Sequence, residues 1–333
     1  MYNEIQSLVL NLNIEIISKE IIKIKQKNPS TFLGKGNLLR IKDKIIKGRI
    51  NLLILNNNLS PSQQRNLEQF LNVKVTDRSG IIIEIFSKRA STKESKLQVE
   101  LAELIYRKSR LVRAWTHLER QRGGTTFIGG PGELQIELDK RLIQSKIVKI
   151  KKRLIKVRAR RQIQRKSRLN GNFKTFALVG YTNAGKTKLF NRLTRKKQSS
   201  QNKLFETLDT KISKFYLNNH QVGIIDTVGF INNIPTQLIE SFHATLEEIN
   251  SANFIINVVD VNDIHAKDKI ITTKKILKET GVSEEKISKM INVYNKIDLS
   301  ASSYMQGQNR IFISALTGEG IENLKGNIQR KLI

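Results

Sequence analysis

The sequence predicts an α/β protein in three parts. These are a small N-terminal α/β domain, an antiparallel helical hairpin, and a C-terminal domain whose mostly parallel sheet is flanked by helices. Three observations predict it. Short β-branched runs alternate with amphipathic pieces over residues 1–88; a heptad pattern replaces them over 89–170; and over 171–333 apolar strands run into polar, glycine-bearing loops.

In the first part, "NLLILNN" (51–57) and "GIIIEIF" (80–86) are short, apolar and β-branched, and are expected to be buried strands. Between them, "LSPSQQRNLEQFL" predicts a helix with Ser60 as N-cap, Pro61 in its first turn and Gln63 closing a capping box. "FLGKGNLL" (32–39) reads as a turn feeding another helix. The opening "MYNEIQSLVLNLNIEI" carries early Glu and Asn and no basic region, so it does not read as a signal peptide.

From about residue 90 the period changes. Leu97, Leu101, Leu104, Leu111, Trp115 and Leu118 follow heptad spacing, with Lys108 at one polar seam position, and Ile143, Ile147, Ile150, Leu154 and Val157 repeat the pattern. Two apolar stripes joined by a short link bury each other as a hairpin with its tip at 122–132. The tip holds five glycines within 123–132, which suits either a phosphate cradle or a bare turn. It has no preceding strand and no following Lys-Ser/Thr, so the turn is favoured. There Gly124 and Gly130 would let backbone approach RNA closely, and Phe127 would stack on a base.

Charge supports a polyanionic partner. The chain of 333 residues has 59 Lys+Arg against 29 Asp+Glu, a net charge of +30, and residues 141–170 carry thirteen Lys/Arg with no acid. Arg158, Arg160 and Arg161 lie in that run and are candidate RNA contacts. With no cysteine and only four His, disulfides and thiolate metal sites are excluded and no His cluster is in view. No run approaches the roughly 18 apolar residues of a membrane span. The expectation is a soluble, monomeric protein of a reducing compartment.

The chemistry lies in the third part. After the strand "TFALVG", the stretch "YTNAGKTKLFNRL" places Gly180, Gly185, Lys186 and Thr187 in G-x-x-x-x-G-K-[ST] spacing, with Asn183, Ala184 and Lys188 completing the loop and the helix start. Glycine backbone N–H groups wrap a β-phosphate, Lys186 reaches the β/γ oxygens, and the Thr187 hydroxyl suits Mg²⁺. "VGIIDTVGF" ends a strand at Asp226, suited to hold Mg²⁺ through a water, and leaves Gly229 free to turn its N–H to a γ-phosphate. "INVYNKIDL" supplies Asn295, Lys296 and Asp298; a carboxylate at Asp298 accepts from guanine N1–H and N2–H together, which selects GTP over ATP. "RIFISALTGEG" adds Ser314 and Ala315, where a backbone N–H meets guanine O6. In "LFETLDTKISKF", Thr207 is the expected switch threonine that completes the Mg²⁺ shell, with Thr210 as the competing choice. Lys186, Thr207 and Gly229 are therefore the expected catalytic group. The residue after "DTVG", a position where a glutamine can orient water, is Phe230, so hydrolysis is expected to be slow unaided.

These segments resemble the HflX family of translational GTPases. The resemblance rests on "GYTNAGKTKLFN", "LFETLDT", "DTVGFINNIPTQLIESFHATLEEI", "NKID" and "SALTGEG" in the G domain. It rests also on "LSPSQQRNLE", "VKVTDRSGIIIEIF", "ASTKESKLQVELAEL" and "GGPGELQIELDKR" before it. It implies a GTP- and Mg²⁺-dependent GTPase, stimulated by the ribosome, that binds chiefly the large subunit and its rRNA. It further implies help in splitting stalled ribosomes, with the tip near the peptidyl-transferase region, and ATP binding by the N-terminal part, for which no motif here assigns a site. The cytoplasm is the expected compartment, or the stroma if the heavy use of Lys, Ile and Asn marks an AT-rich plastid gene, with peripheral membrane association left open. Gly129 stands where the family has Arg, Lys188 where it has Thr, and the Pro usual after Asp209 is missing. The N-terminal domain looks shortened and a C-terminal domain looks absent. A GTP-regulated RNA-binding protein of ribosome assembly is the alternative; a tRNA-modification GTPase would normally carry a catalytic cysteine, which this chain lacks.

Overall fold

The computed structural model describes residues 2–111, 131–169, 173–196, 205, 208–218, 220–231, 243–299 and 310–332. They form two compact units, Met1–Lys88 with Leu97–Ile155, and Arg89–Lys96 with Lys156–Ile333.

The first unit opens with α1 (Tyr2–Leu10), α2 (Lys35–Lys47), β1 (Leu52–Leu55), α3 (Pro61–Leu71), β2 (Lys74–Asp77) and α4 (Arg78–Arg89). β1 and β2 pair in parallel from Leu52 opposite Lys74 to Leu55 opposite Asp77. Leu38, Ile41 and Ile45 of α2 and Leu67 and Leu71 of α3 cover the strand residues Leu55 and Val75. α3 starts as its sequence predicts. The Gln63 N–H donates to Ser60 Oγ at 3.1 Å, and the Ser60 N–H donates back to Gln63 Oε1 at 2.9 Å. Asn72 ends the helix in the left-handed region, at φ 55°.

The run 80–86 is helix, not the expected strand. The strand is Lys74–Asp77, and Asp77 Oδ1 accepts the Gly80 N–H at 2.9 Å, which turns the chain directly into α4. Ile81, Ile82, Ile83, Ile85 and Phe86 are all buried. A helix buried on most of its girth has the same unbroken apolar run as a buried strand.

Asp77 has a second task. Fully buried, it also accepts from the Leu59 N–H (3.1 Å), the Tyr106 hydroxyl (2.9 Å) and the Arg110 guanidinium (2.6 Å). Tyr106 and Arg110 lie on α5 (Lys93–Leu111), so the end of β2 is tied to that helix. Burial, reinforced by the Asp77 charge, pushes the Tyr106 phenol well above its ordinary value.

α5 and α6 (Pro131–Leu169) bury their stripes together: Leu97, Leu101, Leu104 and Ile105 against Ile143, Ile147, Ile150 and Leu154. At the polar seam position, Lys108 Nζ donates to Gln144 Oε1 at 2.7 Å. α6 begins at Pro131, so the last two residues of the expected tip form its first turn. The rest of the tip, with Gly124, Phe127 and Gly130, lies outside the described residues, as do Trp115 and Leu118.

The second unit contains β3 (Thr175–Val179), α7 (Lys186–Thr194), β4 (Lys211–Leu217), β5 (His220–Asp226), α8 (His243–Ser251), β6 (Phe254–Asp260), α9 (Ala266–Glu279), α10 (Glu284–Ser288), β7 (Ile291–Asn295), a 3₁₀ turn (Ile297–Leu299), β8 (Ile311–Phe312) and α11 (Ile321–Arg330). The strands lie in the order β4-β5-β3-β6-β7-β8, all parallel except β4 against β5. Side chains alternate along β3. Phe176 and Leu178 join one core with Leu189, Phe190 and Leu193 of α7 and Leu324 and Ile328 of α11. Ala177 and Val179 face the other core with Ile249 of α8 and Leu277 of α9. Each fully buried Leu or Phe contributes about 1.5–3 kcal/mol, and the two cores fix where the strand ends come together. Among the described residues no helix is long and apolar enough to cross a membrane.

Candidate nucleotide site

The C-terminal ends of β3, β5 and β7 converge, which is where open parallel sheets bind ligands. The loop after β3 is held tightly to its neighbours. Gly180 has φ 136°, and a Cβ there would stand 2.3 Å from the Val258 carbonyl oxygen; Gly185 has φ 93°, and its Cβ would stand 2.2 Å from Asn295 Nδ2. Only glycine meets both conditions at each position. Asn183 also takes a left-handed conformation, at φ 62°.

Lys186 begins α7 and is buried, and its ammonium donates to the carbonyls of Gly180 (3.0 Å) and Tyr181 (2.7 Å). Burial pushes it down to about 8, with Asp226 pulling the other way. Thr187 Oγ1 donates to Asp226 Oδ2 at 2.9 Å, and Asp226 is fully buried at the end of β5. A hydroxyl and a carboxylate oxygen side by side form the hard donor pair that Mg²⁺ takes when phosphates and water supply the remainder. Among the described residues, no group of three or more His, Cys, Asp or Glu side chains is placed to hold a metal ion by itself. Lys188 lies one residue further along α7.

Beyond Asp226 the chain stays on the glycine loop. The Phe230 N–H donates to the Gly180 carbonyl (3.0 Å) and the Thr182 N–H to the Phe230 carbonyl (2.8 Å). A Cβ on Gly229 would stand 2.7 Å from Thr182 Cα, so this approach also requires glycine. Phe230 is buried in the core cluster that holds Tyr181 and Ile249.

On the other side, Asn295 joins two loops: its Nδ2 donates to the Ala184 carbonyl at 2.8 Å, and its Oδ1 accepts the Ala315 N–H at 2.9 Å. Asp298 accepts from the Ser314 hydroxyl at 2.5 Å. Lys296, at φ 71°, pairs with Asp260 at 2.7 Å, and its carbonyl accepts from Asn262 at 2.9 Å. These two anchors, at and just beyond the end of β6 in "VVDVND", went unassigned from sequence, as did Lys269, whose ammonium lies 5.0 Å from the Tyr181 ring centre.

The loops 180–187, Asp226, Gly229, Asn295, Asp298, Ser314 and Ala315 therefore come together at one end of the sheet. Thr207 lies outside the described residues; Thr210 directly precedes β4. Arg160 is exposed on α6, whereas nothing is described of the Arg158 and Arg161 side chains on the same helix.

A mostly parallel sheet bearing these loops on the C-terminal ends of its parallel strands defines the P-loop GTPase class. Comparison with known proteins narrows it. Residues 1–87 match the family described as GTP-binding GTPase N-terminal, residues 89–168 the GTP-binding GTPase middle region, and residues 175–296 the 50S ribosome-binding GTPase. The chain belongs to the HflX family of GTPases. It is 42% identical to GTPase HflX of Magnetococcus marinus, covering 99% of this chain and 77% of that protein, and 38% identical to GTPase HflX of Escherichia coli, covering 96% and 76%. Among solved structures, a GTP-binding protein of the archaeon Sulfolobus solfataricus in complex with GDP is similar with a TM-score of 0.50 and 26% identity, over 99% of this chain and 94% of that one. The chain is thus a GTP-binding protein that hydrolyses GTP to GDP and phosphate.

Proposed function

We propose that this GTPase acts on the ribosome, binding chiefly the large subunit through rRNA and helping to split stalled or idle particles. The reading gives residues 1–88 to an N-terminal domain, 89–170 to an RNA-contacting arm and 171–333 to the G domain. One observation carries it. α6 presents Lys146, Lys149, Lys151, Lys152, Arg153, Lys156 and Arg160 to solvent, and no acid occurs between residues 141 and 170, in a chain whose G domain matches the 50S ribosome-binding GTPase family.

Within the G domain, Lys186 and the backbone N–H groups of 183–188 bind the β- and γ-phosphates, and Gly229 turns its N–H to the γ-phosphate. Asp298 reads guanine N1–H and N2–H, the Ala315 N–H meets O6, Ser314 orients Asp298, and Asn295 and Lys296 hold that loop in place. Thr187 and Thr207, with Asp226 through a water, would hold Mg²⁺, which supplies charge neutralisation of the phosphate oxygens. Phe230 packs in the core, so the group that orients water comes from elsewhere in the chain or from a partner, and hydrolysis is slow alone and stimulated by the ribosome.

Gradient sedimentation tests the reading. With a non-hydrolysable GTP analogue the protein should move with 50S or 70S particles, and deleting residues 123–132 should weaken that. Sedimentation only with precursor particles would instead assign it to assembly, and sedimentation with neither would end the ribosomal reading.

A further inference from the structure

Three donors converge on one carboxylate in the second unit. The Ser91 hydroxyl donates to Asp209 Oδ2 at 2.5 Å, the Thr92 hydroxyl to Oδ1 at 2.6 Å, and the Thr92 N–H to Oδ2 at 3.3 Å. The partners lie 117 and 118 residues apart in sequence, so chain proximity does not explain the contact. Hydrogen bonds to an ionised acceptor are the stronger kind, and three on one carboxylate make a seat for it.

Both sides of the contact matter. Asp209 follows the expected Mg²⁺ ligand Thr207 by two residues and precedes Lys211, the first residue of β4. Lys211 stands opposite Asp226 in the β4–β5 ladder, and Asp226 accepts from Thr187. Asp209 thus sits where the chain enters the nucleotide end of the sheet. Across from it, Thr92 caps α5: the Ser95 N–H donates to Thr92 Oγ1 and the Thr92 N–H to Ser95 Oγ, both at 3.1 Å. The Thr92 hydroxyl, also 3.0 Å from Ser95 Oγ, therefore serves both sides. It accepts from the helix start and gives its proton to Asp209.

We propose that Ser91 and Thr92 are positioning residues for GTP hydrolysis, seating Asp209 and so coupling the segment that leads into β4 to the first turn of α5. Among the described residues neither hydrogen-bonds to the nucleotide loops; they act through Asp209. The inference needs GTP and its hydrolysis but no ribosome, so its test is independent of the ribosomal reading.

The test uses the full chain. Hydrogen exchange at the amides of residues 92–96 is compared with GDP and with a non-hydrolysable GTP analogue, and kcat and KM for GTP are measured alongside. Exchange at Ser95 and Lys96 should differ between the two nucleotides by about fivefold or more, and the difference should vanish in Asp209→Ala. Asp209→Ala and Ser91→Ala should each lower kcat by about fivefold or more with KM nearly unchanged, and the double variant should be no worse than Asp209→Ala alone. Thr92→Ser, which keeps the hydroxyl, should retain wild-type kcat. Ser91→Ala, at an exposed side chain, carries the kinetic test should Asp209→Ala fail to fold. Equal exchange with both nucleotides, or reductions in kcat that simply add, would overturn the proposal.

Discussion

Replacing Asn295 with alanine removes the side chain that spans the glycine loop and the guanine loop. Its amide donates to Ala184 and accepts from Ala315, and it is only 2% exposed. Both backbone partners are buried with it, so the substitution leaves a carbonyl and an N–H without their bonds. Each costs about 1–3 kcal/mol, and the pair about 2–6 kcal/mol. Set against a total of about 5–15 kcal/mol, that is a large loss. At about 2–4 °C per kcal/mol for a domain of this size, Tm of the nucleotide-free protein should fall by at least about 4 °C in differential scanning calorimetry. The geometry also dictates a second result. A Cβ at Gly185 would meet Asn295 Nδ2 at 2.2 Å, and in the Asn295→Ala background that atom is gone. Gly185→Ala should then cost less than it does in the wild type, leaving chiefly the strain of φ 93°. A Tm within about 1 °C of wild type for Asn295→Ala, or strictly additive effects in the double variant, would refute the bridge.

Three further outcomes are expected. Asp298→Asn should lower GTP affinity by about a hundredfold or more, as two charge-assisted bonds of roughly 1.5–3 kcal/mol each are removed, and should favour xanthosine nucleotides; equilibrium binding with both bases reads this directly. Charge reversal at Arg158, Arg160 and Arg161 should weaken ribosome binding and flatten its dependence on salt by about one unit of slope for each phosphate no longer neutralised, measured by co-sedimentation across a salt series. Asp77→Ala should destabilise the first unit by about 3–5 kcal/mol, because Arg110 is deprived of its buried counter-charge; a lower urea midpoint at unchanged m-value reports it.

Local chemistry was legible in the sequence wherever a residue acts on its chain neighbours. Ser60 and Gln63 form the capping box their spacing requires, and Gly180, Gly185, Lys186 and Thr187 form the loop theirs requires. The missing polar group at Phe230 could be read directly. Its place in the core beside Tyr181 could not, because that depends on which face of the sheet receives it. The run 80–86 misled for a related reason: burial on most sides erases the periodicity that separates helix from strand, and the decisive residue, Asp77, lies outside the run. Ser91 and Thr92 were invisible in their role because their partner is more than a hundred residues away. Their only local signature is the cap that Thr92 forms with Ser95, which reads as helix chemistry and nothing more.

The six-stranded sheet also has two edges, and edges are where sheets of different molecules join. In β4 Lys211, Lys214 and Tyr216 are exposed while Ser213, Phe215 and Leu217 are buried, and β8 at the other edge is two residues long. Two exposed lysines on an edge strand resist pairing with a like strand, and two residues offer too short a ladder to hold one. Sheet-to-sheet joining through either edge is thereby disfavoured. Neutralising Lys211 and Lys214 would expose the edge beside the nucleotide loops first.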